Sequence, residues 1–182
     1  MKATATTATA GTNTDEILHN INGIICREVK IEVKKVGSIT IMEATAASQD
    51  ELLEMACATE EEIAQSDTEH LIITSGDPYG AVLWPAASAV SDHLLTIVAE
   101  DYPSKSLDGL TILELGTGTG LCSLAAALGG ASKVMATDFE QVPLRLLEFA
   151  ASSVNREPAD GESEEDRRLK LSKIETCKCT SW

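Results

Sequence analysis

The sequence predicts an α/β fold with parallel strand pairing, and three observations carry that prediction. Between Leu110 and Asn155, short apolar runs alternate with helical-period segments in the order strand, helix, strand, helix. A glycine-rich bend, Gly116 to Gly120, falls where the first of these strands meets its helix. The 182 residues, 43% of them hydrophobic, suit one globular domain rather than a disordered chain.

The elements follow in order. Residues 1–14, MKATATTATAGTNT, lack the apolar stretch of a secretory signal and read as a disordered start, with the cytoplasm as the expected compartment. Val29, Ile31 and Val33 alternate with Lys30, Glu32 and Lys34, the period of a half-buried strand. Gly37-Ser38 breaks the run before Ile39-Thr40-Ile41, so an antiparallel hairpin is expected. The acidic segment from Gln49 to Gln65 suits one or two surface helices, which makes residues 15–76 a β-hairpin and helical extension. The turn cluster Ser75-Gly-Asp-Pro78 ends it. A helix then runs from Pro85 to Ala99 with Ala86, Val90, Leu94, Ile97 and Val98 at helical spacing.

Leu110 to Leu115, LTILEL, is consistent with a buried strand. Leu121 to Leu128 is a compact apolar helix closed by Gly129-Gly130. Lys133 to Thr137 is a second strand, and Val142 to Val154 a second helix with Leu146, Leu147, Phe149 and Ala150 inward. Residues 77–155 thus form one βα-rich unit. In 156–182, the acid-rich Arg156 to Arg168 reads as a mobile loop and Leu169 to Trp182 as a weak apolar alternation.

Charge and cysteine usage exclude several classes. Lys plus Arg is 14 against 29 Asp plus Glu, a net −15, and no basic stripe offsets it, so nucleic acid is not an expected partner. No apolar run approaches the ~18 residues a membrane helix needs. Five cysteines at no framework spacing argue against a disulfide-stapled domain. Cys177-x-Cys179 has no second pair nearby, so no metal site is expected.

The chemistry lies in Glu114-Leu-Gly116-Thr117-Gly118-Thr-Gly120 and in Asp138, 22 residues after the first glycine. Glycines at a strand-to-helix bend allow unusual dihedrals and close approach of a ligand, and the next helix offers unpaired N–H groups. An acid ending the second strand lies beside that bend and can accept both ribose hydroxyls, so a nucleoside pocket is expected. A dinucleotide fingerprint needs a third glycine at the position of Leu121, which disfavours a nicotinamide enzyme.

The G-x-G-x-G spacing behind Glu114 resembles motif one of the seven-stranded S-adenosylmethionine-dependent methyltransferases. The flanks, GAVLWPAA from Gly80, ILELGTGTGLCSLAAALGGA and VMATDFEQVPLRLLEFAASSVN, resemble the non-SET protein-lysine methyltransferases of that class over Tyr79 to Asn155. The resemblance implies a Rossmann-like sheet, S-adenosylmethionine as cofactor and a protein lysine as acceptor. It implies that Gly116, Thr117, Gly118 and Gly120 contact the cofactor and that Asp138 holds the ribose. Glu114 would orient the turn or reach the methionyl amine, Phe139 would lie against the adenine and Trp84 would wall the pocket. For Trp84 the competing reading is an ordinary core tryptophan, and for Phe139 it is helix–sheet packing.

The resemblance also has a gap. In the family's sheet the strand 110–115 is central, between the second and fourth strands. Here no fourth strand follows, and neither does the family's acidic-x-x-Tyr motif; Asp77-Pro-Tyr79 has the wrong spacing. The expectation is a methyltransferase sheet truncated after two or three βα units, ending inside its third strand, with the first strand's edge exposed. A shifted or incomplete reading frame is one origin of such an ending. No catalytic residue emerges, and the alternative function is a catalytically incomplete cofactor- or protein-binding module.

Overall fold

A computed structural model of the chain describes residues 16–57, 78–98, 101, 105–155 and 161–179. The expected disordered start, and the part of the acidic helical segment beyond Cys57, lie outside these residues.

The N-terminal part is a three-stranded antiparallel meander rather than the expected two-stranded hairpin. Its strands are β1 (Leu18–Ile21), β2 (Ile24–Val33) and β3 (Gly37–Ala44). Asn22 and Gly23, at φ 54° and 91°, make the two-residue turn between β1 and β2, a geometry that Asn-Gly favours because both positions need positive φ. The second turn lies at Lys34–Val36, ahead of the expected break, and Gly37 is paired with Val33 as the first residue of β3. Helix α1 (Ala46–Cys57) follows.

A 3-10 turn (Pro78–Ala81) precedes α2 (Pro85–His93), which continues as a π-helical turn over Leu94–Val98. Then come β4 (Thr111–Leu115), α3 (Leu121–Leu128), β5 (Lys133–Asp138) and α4 (Gln141–Phe149), with a π-helical turn at Ala150–Val154. The described chain ends with α5 (Glu164–Leu171) and β6 (Ile174–Lys178). Strands β4, β5 and β6 form a parallel sheet in that order, so the expected α/β class with parallel pairing is what the chain adopts.

One apolar cluster joins the two sheets: Ile39, Ile41 and Met42 of β3 share it with Leu121, Leu124, Leu146 and Leu147. The antiparallel meander is therefore packed on the same core as the parallel sheet. Buried polar groups reinforce the junction. The Asn155 side chain accepts from the Thr40 N–H (2.8 Å) and donates to the Thr40 carbonyl (2.6 Å), as a neighbouring strand would. Among the described residues no helix is long and apolar enough to cross a membrane.

Three expectations about individual elements are corrected. The stripe Ala86–Val90 does not face the core, for Val90 is 53% exposed; Ala87, Ser91 and Leu95 form the inward row. Small residues win there because α2 packs closely on α3, with Ser91 Oγ 3.5 Å from Cys122 Sγ. Strand β4 is not buried: Leu113 and Leu115 are 61% and 62% exposed, because β4 is the outer strand of the described sheet. The acid-rich segment is helical from Glu164. Ser163 caps α5 by accepting the Asp166 N–H (3.0 Å), Glu164, Glu165 and Asp166 occupy the first turn, and Arg167 is buried. Acids in a first helical turn complement the dipole, which composition alone does not reveal.

Candidate functional site

The glycine bend sits at the C-terminal ends of β4 and β5, and both strands tie it down. Thr117 N–H donates to the Thr137 carbonyl (2.9 Å), and Thr137 Oγ1–H donates back to the Glu114 carbonyl (2.7 Å). Gly116, Gly118 and Gly120 take φ of 71°, 53° and 83°, left-handed values that favour glycine. Their surroundings differ. A Cβ on Gly116 would meet nothing within 4 Å, and one on Gly118 would meet only the Gly80 carbonyl at 3.7 Å. On Gly120 it would lie 2.5 Å from Leu147 Cδ1, so there the missing side chain lets α3 and α4 pack. The open cradle is at Gly116 and Gly118.

Asp138 ends β5 beside this bend. Its Oδ2 accepts the Gly118 N–H at 3.0 Å and its Oδ1 accepts the Glu140 N–H at 3.0 Å, with the residue only 8% exposed. Glu114 lies beneath the bend. Its Oε2 accepts from Thr117 Oγ1 (2.9 Å) and from Ser123 Oγ, so of its two expected roles the geometry has it orient the turn. Burial raises its carboxyl above the ordinary value, against the lowering effect of the Ser123 and Thr117 hydroxyls. Thr117 is itself buried, and its hydroxyl is spent on Glu114. Burial, followed by the neighbouring Glu114 charge, pushes the Cys122 thiol up to about 11, the opposite of the shift that activates a nucleophile.

A family model described as lysine methyltransferase matches residues 65–163, more than half of the 182. The chain belongs to this lysine methyltransferase family. Among curated relatives, the electron transfer flavoprotein beta subunit lysine methyltransferase of Xenopus laevis is 37% identical over 89 residues, 49% of this chain and 34% of the relative. Its counterpart from Mus musculus is 39% identical over 66 residues, 36% of this chain and 24% of the relative. The protein-lysine methyltransferase METTL21E of Mus musculus is 39% identical over 71 residues, 38% of this chain and 27% of the relative. The matched stretch thus spans about a third or less of the length of these relatives.

Two aromatic residues of this lysine methyltransferase homologue, Trp84 and Phe139, lie outside the core. Trp84 is 56% exposed and Phe139 49%, so Trp84 is not an ordinary core tryptophan and the Phe139 ring is half open. Trp84 caps the N-terminus of α2, and its indole N–H donates to the Tyr79 carbonyl (2.9 Å), with the two rings 6.3 Å apart. The 3-10 turn carrying Tyr79 rests on the site: a Cβ at Gly80 would lie 2.5 Å from Pro143 Cγ at the start of α4, and the Gly80 carbonyl faces Gly118. Leu121, where a dinucleotide site would have its third glycine, is fully buried in the core. Cys177 and Cys179 are free, and among the described residues no group of three His, Cys, Asp or Glu converges as a metal site.

Two residues near the site escaped sequence reasoning. Tyr79 was set aside for its spacing to Asp77, yet it anchors Trp84. Glu43, on β3, accepts the Leu83 N–H next to Trp84 (2.9 Å). Its signal was an acid embedded in the apolar run Ile39-Thr-Ile-Met-Glu-Ala.

Proposed function

We propose that this chain binds S-adenosylmethionine at the glycine bend and serves the transfer of its methyl group to a lysine side chain of a protein. The observation that carries the reading is the Asp138 carboxylate locked to Gly118 beside an open glycine cradle. A carboxylate offers about four lone-pair directions, and two are used by Gly118 and Glu140, which leaves two for a pair of ribose hydroxyls. Gly116 and Gly118 would admit the amino-acid part of the cofactor against the backbone, while Glu114 holds their turn from below. Phe139 and Trp84 would supply flat apolar walls for the adenine end. The Asp138 carboxylate suits a cationic sulfonium better than a pyrophosphate.

S-adenosylmethionine, when bound, supplies an electrophilic methyl group. Its in-line displacement needs positioning more than proton transfer. The acceptor class rests on the names of the relatives, all of which are called lysine methyltransferases.

Titration calorimetry of the purified chain with S-adenosylhomocysteine tests the binding, and radiolabelled methyl transfer into cell-extract protein tests the reaction. Saturable binding, with none for NAD, is the expected result. An absence of heat with S-adenosylhomocysteine rejects the reading. The exposed Leu113 and Leu115 of β4, the outer strand among the described residues, favour a second reading in which the chain is a cofactor- or protein-binding module; binding without transfer would select it.

A further inference from the structure

We infer that Glu43, on the antiparallel meander outside the glycine bend, is a positioning residue for the aromatic wall of the site, and this inference rests on the cofactor reading above. Glu43 is 7% exposed, and a carboxylate so buried is costly unless it is paired. Arg27 stands directly opposite on β2 and grips Oε2 through Nη2 (2.7 Å) and Nε (3.0 Å). That pairing fixes the carboxylate and leaves Oε1 aimed at the Leu83 N–H, which it accepts at 2.9 Å.

Leu83 precedes the N-cap of α2, so its N–H belongs to no helical ladder. The next residue is Trp84, whose exposed ring is not held by core packing. Hydrogen bonds restrain it instead: the Leu83 N–H to Glu43 before it, the Ala87 N–H to the Trp84 carbonyl (2.9 Å) after it, and the indole N–H to the Tyr79 carbonyl. The meander, packed on the shared core, is a rigid base for the first of these. Loss of the Glu43 carboxylate would free the Leu83 N–H and with it the backbone that aims the indole.

The test uses Trp182→Phe as background, which leaves Trp84 as the sole tryptophan. Glu43→Ala should shift Trp84 emission, raise its quenching by acrylamide in the free protein, and weaken S-adenosylhomocysteine binding about tenfold. Glu43→Gln, which keeps an acceptor for Leu83, should recover most of both. Ser48→Ala is the structural control. It removes the acceptor of the Ile25 N–H (2.9 Å) in the same meander without touching Leu83, so it should lower stability and leave emission and affinity unchanged. Emission and affinity in Glu43→Ala that match Ser48→Ala would overturn the assignment. Should Glu43→Ala not fold, Glu43→Asp decides, because its shorter side chain keeps the charge opposite Arg27 but draws the carboxylate back from the Leu83 N–H: a shift in Trp84 emission supports the inference, and an unaltered spectrum rejects it. Failure of the parent protein to bind S-adenosylhomocysteine would reject the cofactor reading alone, because Trp84 emission still judges Glu43.

Discussion

Asp138 and Gly118 are joined by a hydrogen bond of 3.0 Å from the glycine N–H to the carboxylate Oδ2. The acid and the bend, 20 residues apart in sequence, therefore form one unit in the free chain. The second carboxylate oxygen is oriented by the Glu140 N–H at the start of α4, so neither the acid nor the bend needs to reorganise before a ligand arrives.

Asp138→Ala should weaken binding of S-adenosylhomocysteine by about 1–3 kcal/mol, the cost of unpaired polar groups at a buried contact. Calorimetric titration of both proteins checks it. Equal affinities would remove Asp138 from the site. Asp138→Asn should fall between the two, since an amide keeps one acceptor for the Gly118 N–H.

Gly116 and Gly120 should respond differently to alanine although both have positive φ. Gly116→Ala adds a methyl in open space, so its cost is the left-handed strain of about 1–2 kcal/mol plus loss of ligand affinity. Gly120→Ala adds that strain to a collision with Leu147 at 2.5 Å and should destabilise by about 2–5 kcal/mol. Thermal unfolding with and without S-adenosylhomocysteine separates the effects. Gly116→Ala should melt near the parent and gain little from ligand, while Gly120→Ala should melt far lower. Equal losses of stability would contradict the division of roles.

The α/β class and the glycine bend were legible because each depends on residues close in sequence. The period of Leu121–Leu128, the glycines at a strand end and the acid ending β5 are local patterns. What was not legible depends on partners far along the chain. Arg167 is buried because its guanidinium donates to the carbonyls of Asn155 (3.0 Å) and Ser38 (3.3 Å), the latter 129 residues away, so an acidic composition suggested a loop where a capped helix stands. The exposure of Leu113 and Leu115 follows from sheet order, which an apolar run cannot report. Asn22-Gly23 did carry a hairpin signal, but LHNI before it has no clear alternation, and β1 was missed.

Asn155 gives a prediction about stability alone. Its side chain satisfies the Thr40 N–H and carbonyl and donates to the Ala150 carbonyl (3.0 Å), all in the buried junction between β3 and the end of α4. Asn155→Ala removes the side-chain partner of the Thr40 N–H and carbonyl, while the Ala150 carbonyl keeps the backbone N–H of residue 155 (3.1 Å), and should cost about 2–4 kcal/mol, read as a lower urea midpoint. Asn155→Asp should cost at least as much, because a carboxylate cannot donate to the two carbonyls. An unchanged midpoint in both would show that water replaces the side chain.

Glu114 sets a pH dependence whose sign follows from its surroundings. Burial raises its carboxyl above the ordinary 4.5, and the Ser123 and Thr117 hydroxyls oppose that only in part. The folded state therefore holds the proton more tightly than the unfolded chain. Such a group contributes its full stability below the unfolded value and loses it as pH rises through the folded one. Glu114→Gln keeps an acceptor oxygen for Thr117 and Ser123 but cannot ionise. The stability of the parent relative to Glu114→Gln should then decline as pH rises from the ordinary carboxyl value through the raised folded one, and level off above it. Urea unfolding of both proteins across that range measures the difference. A difference that rose with pH would mean that a positive group faces Glu114 and holds its pKa down, and the carboxylate would then belong to the ligand-binding surface rather than to the support beneath the bend.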